Sequence, residues 1–170
     1  MLSRRQLGLG AAGLALSACA QGPKGQAANL KTPGAEAKFS DTKWANMTEA
    51  EWKERLTEDE FHILREAGTE PPRSSPLLEE KRKGTYVCAG CALPLFKSET
   101  KFHSGTGWPS FYNYIEGNLG MMEDNTLFSK RTEYHCARCK GHQGHVFKDG
   151  PPPTGLRYCN DGLSLDFEPA

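Results

Sequence analysis

The chain has 170 residues with 21 basic and 21 acidic side chains, so its formal net charge is zero. This balance argues against the basic surface with which proteins bind nucleic acid, and we expect no nucleic-acid partner. The length suits one modest domain plus tails, and 18 glycines with 11 prolines favour a loop-rich, mainly β domain over a helical bundle.

Residues 1–18 predict an export signal peptide. A charged start is followed by an apolar run from Leu7 to Ala18, which is shorter than the roughly 20 residues that a bilayer-spanning helix needs. The letters SRRQL at residues 3–7 resemble a twin-arginine export signal.

The stretch Leu16-Ser-Ala-Cys19 resembles a bacterial lipobox, in which cleavage before the cysteine is followed by lipidation of its thiol. Each acyl CH₂ group buried in lipid contributes about 0.8 kcal/mol, so several chains on one cysteine hold a protein at a membrane. We expect a protein of the bacterial periplasm that touches the membrane only through the lipid anchor on Cys19. An ordinary signal peptide with a coincidental cysteine is the alternative.

Residues 19–43 predict a lipid-anchored flexible linker, because this stretch is rich in Gly, Pro, Ala, Lys and Gln and has little to bury. A folded domain is expected over residues 44–170. Two capping-box patterns, Thr48-Glu-Ala-Glu51 and Thr57-Glu-Asp-Glu60, predict short helices at its start.

From Gly84 onward, short β-prone runs alternate with turns that contain Gly and Pro. This spacing is typical of an antiparallel sheet protein rather than of βαβ units. The runs are Thr85–Val87, Leu93–Phe96, Phe111–Ile115, Thr126–Phe128, Thr132–Tyr134, Val146–Phe147 and Leu163–Phe167.

Two Cys-x-x-Cys units predict a metal site. Cys88 and Cys91 form the first unit, Cys136 and Cys139 form the second, and 44 residues separate the two units. Four thiolates fill the tetrahedral coordination of one structural Zn²⁺ and leave no position for water. Two disulfides, a dithiol redox pair, or a site with three cysteines and His135 are the alternatives that the spacing leaves open.

Cys159 remains after lipid and metal have accounted for the other five cysteines. An unpaired cysteine in an exported protein is either buried and inert or reactive. Arg157 lies two residues before it, and a nearby cation favours the nucleophilic thiolate. His142 and His145 follow the second metal pair and supply groups that exchange protons near neutral pH.

Several longer motifs together resemble the methionine-R-sulfoxide reductases of the B type. They are Ser104-Gly-Thr-Gly-Trp-Pro-Ser-Phe111, Gly144-His-Val-Phe147, Asp149-Gly-Pro and Pro153-Thr-Gly-Leu-Arg-Tyr-Cys159, with the two Cys-x-x-Cys units in the positions of that family's zinc site. The resemblance covers residues from about 44 to the end. It implies two antiparallel sheets in a β-tent-like arrangement, with short N-terminal helices and zinc opposite the active site.

The resemblance also implies a reaction, the reduction of the R epimer of methionine sulfoxide in proteins or peptides. Cys159 would attack the sulfoxide sulfur and become a sulfenic acid. His145 would be the proton donor and His142 a polar orienting group. Trp108 would contact the S-methyl group of the substrate, and Arg157 would support the thiolate. Repair of oxidised envelope proteins by a monomer is the expected biological role.

The chain departs from the resembled family at two places. Thr106 occupies the position of a resolving cysteine, so we expect a one-cysteine cycle in which a thioredoxin-like protein or a small thiol reduces Cys159. Asp161 stands two residues after the nucleophile, where the family usually has Asn; an ionised carboxylate only accepts hydrogen bonds. Either Asn160 substitutes for that amide, or Asp161 pairs with Arg157 or with a histidine.

Other functions explain fewer of these residues. A zinc-ribbon-like binding module without catalysis accounts for the four paired cysteines but not for Cys159, Trp108 or the histidines. A zinc hydrolase needs an open coordination position, which four cysteine ligands do not leave. A general thiol oxidoreductase would need a Cys-x-x-Cys partner for Cys159.

Overall fold

The computed structural model describes residues 35–125 and 130–170. Within this part of the chain two α-helices precede nine β-strands, which form two antiparallel sheets. The predicted fold class, mainly β with two antiparallel sheets and short N-terminal helices, is confirmed. No helix among the described residues is both long and apolar enough to cross a membrane.

The two helices begin where the capping boxes predict. Helix α1 (Glu49–Arg55) follows Thr48, and helix α2 (Glu58–Glu66) follows Thr57. In each case the threonine side chain accepts a hydrogen bond from the backbone N–H three residues on, and the glutamate there accepts one from the threonine N–H. Each box therefore satisfies two backbone donors that would otherwise lack partners at the helix start.

Three strands form the smaller sheet, in the order β2 (Pro94–Lys97), β1 (Gly84–Cys88) and β9 (Leu165–Pro169). Six strands form the larger sheet in the order β3-β4-β8-β7-β6-β5. Their bounds are Lys101–Phe102 for β3, Ser110–Phe111 for β4, Leu119–Asp124 for β5, Arg131–Cys136 for β6, His142–Phe147 for β7 and Arg157–Asn160 for β8.

Some strand predictions differ from the structure. The run Phe111–Ile115 is extended only at its start, in β4, and the run Leu163–Phe167 begins with a 3₁₀ turn, so that β9 starts at Leu165. Strands β3, β5 and β8 were not predicted, because none of these segments has the β-branched alternation on which the prediction rests. The run Thr126–Phe128 lies outside the described residues.

Aromatic rings fill the space between the two sheets. Phe96 of the smaller sheet stacks on Phe111 of the larger one with ring centroids 4.2 Å apart, and Tyr86, Tyr134 and Tyr158 are also fully buried. Such rings bury large areas, and each offset or edge-on pair adds about 1 kcal/mol beyond area burial. This core fixes β8 and β6, which flank the strand that carries both site histidines.

The N-terminal side of the domain starts earlier than residue 44. Phe39 packs against the core, and the ring of Trp44 stacks on the buried ring of Trp52 with centroids 6.1 Å apart. The carboxylate of Glu36 lies 2.7 Å from Nε2 of His135. The last part of the predicted linker, residues 35–43, therefore lies against the domain. The predicted signal peptide, residues 1–18, and the predicted lipidation site Cys19 lie outside the described residues.

Candidate active site and metal centre

The four paired cysteines meet in one buried cluster. The sulfur atoms of Cys88, Cys91, Cys136 and Cys139 all lie within 4.8 Å of one another. The cross-pair distances are 3.6 Å for Cys88–Cys139 and 3.5 Å for Cys91–Cys136. These values exclude disulfides, whose sulfurs are about 2.05 Å apart, and they approach the edge of about 3.8 Å of a tetrahedron with Zn–S bonds of 2.3 Å.

Both pairs adopt the same turn. The residue after each second cysteine, Ala92 or Lys140, has a positive φ, 57° and 60°. In each turn that residue's N–H donates to the carbonyl of the first cysteine, Cys88 or Cys136, at 2.7 and 2.8 Å. The repeated turn aims two thiols from each segment at a common point, as a tetrahedral metal ion requires.

Side chains around the cluster orient the sulfurs. Nε2 of Gln143 donates to Sγ of Cys88 at 3.5 Å, and Nε of Arg138 donates to Sγ of Cys91 at 3.3 Å. The other three thiols also lower the pKa of Cys91 through hydrogen bonds, first that of Cys136. The donor set fits one structural Zn²⁺, and the predicted cofactor is confirmed. His135 is engaged with Glu36, so the alternative with three cysteines and a histidine has no support.

Cys159 lies apart from this cluster, on β8 and partly exposed. It is the register partner of His145 on β7, so the two side chains project from the same face of the sheet with Cβ atoms about 5 Å apart. Gly144 allows this close approach, because a Cβ there would lie 2.0 Å from the carbonyl oxygen of Cys159. The φ of Gly144, 148°, also suits glycine.

The environment of Cys159 contains opposing influences on its acidity. Burial raises the pKa of the thiol, while the charge of Arg157 and a contact with Thr106 act in the opposite direction. Oγ1 of Thr106 lies 4.0 Å from Sγ. Arg157 is held by two hydrogen bonds of 2.9 Å to the carboxylate of Asp149 and lies over the ring of Phe147. The predicted cation near the thiol is therefore present.

Each of the two predicted histidines is hydrogen-bonded to a carboxylate. Nε2 of His145 lies 2.8 Å from Oδ2 of Asp124, and Nδ1 of His142 lies 2.8 Å from Oε1 of Glu133. Because a carboxylate only accepts, these two ring nitrogens carry protons and the other nitrogen of each ring is left for exchange. Burial is the main reason why the pKa of His145 lies below its ordinary value.

A small pocket of about 140 Å³ opens beside Cys159. Trp108 and Phe147 supply its apolar walls, and His145 and Arg131 supply polar groups. The indole N–H of Trp108 donates to the carbonyl of Glu70 at 3.1 Å, which fixes the ring at the pocket edge. An apolar wall opposite polar donors is the usual arrangement in a site for a small amphipathic group.

The two residues after Cys159 have different surroundings. Oδ1 of Asn160 accepts from the hydroxyl of Tyr134 at 2.9 Å, and its Nδ2 donates to the carbonyl of Asp161 and to Ser164. The amide is thus fully used in packing β8. Asp161 faces His142 instead, with Oδ2 3.8 Å from Nε2, while Arg157 is taken by Asp149. Of the two arrangements left open by the sequence, the structure has Asp161 beside a histidine.

Sequence reasoning missed several residues that support the site. Asp124, Arg131 and Glu133 come from β5 and β6, and Glu70 from the loop after α2. The alternation Arg131-Thr-Glu133-Tyr-His135 could have indicated one polar face of a strand. Nothing local predicts that this face lies against the two histidines of β7.

Comparison with known proteins agrees with this geometry. Residues 56–169 match the SelR domain. A protein of Agrobacterium fabrum is 52% identical over 125 residues, which are 73% of this chain and 93% of the relative. One of Methanosarcina mazei is 53% identical over 121 residues, 71% of this chain and 86% of the relative. One of Leptospira interrogans is 48% identical over 124 residues, which are 72% of this chain and 95% of the relative. All three are named peptide methionine sulfoxide reductase MsrB.

A lone cysteine beside two carboxylate-bound histidines, supported by a closed four-cysteine site, defines an oxidoreductase that acts on sulfur. The chain belongs to the SelR domain family, that of the B-type methionine sulfoxide reductases. The predicted family is confirmed. Membership favours an enzyme over the zinc-ribbon-like binding module that the sequence left as an alternative.

Proposed function

We propose that this enzyme reduces the R epimer of methionine sulfoxide in peptides or proteins to methionine, with Cys159 as the nucleophile. The observation that carries the proposal is the pairing of Cys159 with His145 across β8 and β7, at the floor of a pocket with Trp108 in its wall. The names of the relatives support the same substrate class.

The pocket suits the end of a methionine sulfoxide side chain. Its volume of about 140 Å³ leaves room for a methyl group, a sulfur and an oxygen. Trp108 and Phe147 offer apolar surface to the S-methyl group, because aromatic rings make favourable contacts with sulfur-bound carbon. His145 and Arg131 lie on the polar side, where the oxygen would accept hydrogen bonds.

The reaction can be written with the groups present. Nδ1 of His145 takes the Cys159 thiol proton, and Sγ then attacks the sulfoxide sulfur. The attack forms a transient bond between Sγ and the substrate sulfur, and the proton passes to the sulfoxide oxygen. The hydroxyl group then moves to Sγ: the sulfur–oxygen bond of the substrate and the transient sulfur–sulfur bond break, and a bond forms between Sγ and that oxygen. Methionine leaves and Cys159 becomes a sulfenic acid, so the thiol proton and the substrate oxygen both end on Cys159. His142, bound to Glu133, orients the ring of His145, whose centroid is 5.5 Å away.

Arg157 favours the thiolate that attacks. Its guanidinium is fixed by Asp149 and its charge lowers the pKa of Cys159, which burial raises. A held cation of this kind stabilises a thiolate without itself exchanging a proton.

A thiol from outside the chain would complete the cycle. Among the described residues, the other cysteines all belong to the buried cluster, and Thr106 is the side chain next to Sγ of Cys159. A thioredoxin-like protein or a small thiol would therefore reduce the sulfenic acid directly. Lipidation of Cys19 and a periplasmic location would make oxidised envelope proteins the substrates.

The test is a single turnover of separated R and S epimers of a methionine-sulfoxide peptide by zinc-loaded enzyme, without added reductant. We expect about one equivalent of methionine per enzyme from the R epimer only, with a sulfenic acid on Cys159 detected by dimedone. Cys159→Ser is the matched control and should release none. Equal conversion of both epimers, or conversion by Cys159→Ser, would contradict the proposal.

A further inference from the structure

Asp161 is a buried carboxylic acid in the wall of the Cys159 pocket. It is 4% exposed and follows β8 directly. Its N–H donates to the carbonyl of Gln143 at 2.9 Å, and its Oδ1 accepts from the N–H of Glu70 at 3.0 Å. The first bond holds the backbone of Asp161 to β7, and the second holds its carboxyl group to the loop after α2.

The second carboxyl oxygen points at a histidine nitrogen that has no other partner. Nε2 of His142 is 3.8 Å from Oδ2 of Asp161 and makes no hydrogen bond with any group in the described part of the chain. The His142 side chain is 4% exposed, and its Nδ1 proton goes to Glu133. Without a further proton, two buried lone pairs face each other, which is unfavourable. One proton between them removes the conflict.

Among the described residues, three other titratable groups lie around Asp161. Glu70 packs on it with a carboxylate that accepts from the N–H groups of Gly162 and Leu163. The Cys159 thiol and the buried Tyr134 hydroxyl are its electrostatic neighbours on β8 and β6. Burial raises the pKa of Asp161 to about 6; the hydrogen bond from Glu70 and the nearby His142 act against that rise, and the Glu70 charge adds to it.

We propose that Asp161 and His142 hold one exchangeable proton between Oδ2 and Nε2, and that the enzyme reduces its substrate only while this proton is present. The inference rests on the function proposed above and adds a form of regulation to the same pocket. It makes the reductase more active in a mildly acidic medium.

The physical reason is the charge of the pocket wall. When the pair has lost its proton, the negative charge of Asp161 opposes the thiolate, since it raises the pKa of Cys159. The same charge opposes the negative charge that develops on the sulfoxide oxygen as its bond to sulfur breaks. With the proton in place, the Asp161–His142 pair carries one negative charge fewer, and both effects disappear. The proton is retained through the reaction and is not consumed.

An amide at this position gives a direct comparison. In Asp161→Asn the side-chain oxygen can still accept from the N–H of Glu70, and the amide N–H can donate to Nε2 of His142. The wall is then neutral at every pH. Relative to this variant, the wild-type rate should fall above the pH at which the shared proton is lost.

The experiment measures the single-turnover rate on the R-epimer peptide for both proteins, zinc-loaded, from about pH 5 to about pH 9. We expect the ratio of the Asp161→Asn rate to the wild-type rate to stay constant below about pH 6 and to rise about tenfold per pH unit above it. Cys159 and His145 titrate in both proteins, so what the ratio isolates is the effect of the Asp161 charge, including its effect on the pKa of Cys159. Asp166→Asn, an exposed aspartate on β9, is the matched control and should give a constant ratio.

A ratio for Asp161→Asn that does not change with pH would overturn the inference. If neither protein converts the R epimer, the proposed function itself fails, so the two failures are distinguishable. Loss of folding in the variant is detected by zinc content and by the rate at which iodoacetamide labels Cys159.

A second measurement tests the sharing of the proton without using activity. Asp161 can be followed by ¹³C-carboxyl NMR of aspartate-labelled enzyme, its signal assigned by its absence from Asp161→Asn. We expect titration near pH 6 and a shift to higher pH in His142→Gln, because the histidine stabilises the charged carboxylate. An unchanged titration in His142→Gln would mean that the proton is not shared.

Discussion

The molecule uses cysteine in two regions with opposite results. In the metal centre, four thiols from two distant turns are buried together, with sulfurs within 4.8 Å. In the pocket, Cys159 stands alone and partly exposed, beside His145 and within reach of Arg157. The first arrangement leaves no position for a substrate, and the second leaves one sulfur free to react. The difference shows that the neighbours of a cysteine decide its chemistry.

The two regions are joined through a single strand. Strand β7 begins three residues after Cys139, and Gln143 on it reaches back to Cys88. The same strand carries His142 and His145 toward the pocket. A metal ion held by the four cysteines would therefore fix the start of the strand on which both histidines lie, and it would act on the proposed reaction through this geometry.

The largest effect should follow from breaking the metal centre. Cys139→Ser removes one of four ligands, and structural zinc contributes about 10 kcal/mol or more in small domains, which exceeds the stability of most domains of this size. We expect loss of zinc, loss of the cooperative unfolding transition and loss of reductase activity together. A protein that binds less than a stoichiometric amount of zinc yet keeps full activity would contradict the coupling of the two regions.

The next largest effect should come from replacing Cys159, which should abolish activity and leave the metal centre intact. Cys159→Ser should lower the single-turnover rate by about a thousandfold or more, because the proposed nucleophile is lost. The zinc content should equal that of wild type. The free energy of unfolding should stay within about 0.5 kcal/mol of the wild-type value. Metal analysis and urea unfolding measure the second part, and a destabilised variant would mean that Cys159 also has a packing role.

A smaller effect should come from giving the lone sulfur a neighbour. Oγ1 of Thr106 is 4.0 Å from Sγ of Cys159, in a loop where Gly105 and Gly107 have positive φ. We expect Thr106→Cys to form an intrachain disulfide after one turnover, whereas wild type should retain a dimedone-reactive sulfenic acid. Mass spectrometry distinguishes the two. Dimedone labelling of the oxidised variant at the wild-type level would show that the two positions cannot approach each other.

The smallest effect concerns stability and pH. The folded-state pKa of Asp161, about 6, lies above its unfolded value of 3.8, so the folded protein binds more protons between these values and becomes less stable as pH rises through them. Between about pH 5 and about pH 7, wild type should lose about 1.3 kcal/mol relative to Asp161→Asn. Urea unfolding of the zinc-loaded proteins measures this difference, with Asp41→Asn as an exposed control. An equal pH dependence in wild type and Asp161→Asn would contradict the raised pKa.

Much of the site could be predicted from residues close together in the chain. The two Cys-x-x-Cys units specify the metal ligands because a tight turn aims both thiols of a pair in one direction. The capping boxes specify where both helices begin, because Thr and Glu satisfy N–H groups only three residues away. Cys159 could be identified by counting, since the other five cysteines already had predicted roles.

The tertiary structure decided which groups control that chemistry. Asp124 and Glu133 contact the two histidines from β5 and β6, and Glu70 contacts Asp161 from the loop after α2. Strand register and loop packing, which no local pattern encodes, bring them there. For the same reason the sequence left the role of Asp161 open between two partners, and only the fold sets its Oδ2 against Nε2 of His142. Local sequence determines which atoms are available, whereas burial and long-range contacts determine their charge, because both depend on segments distant in the chain.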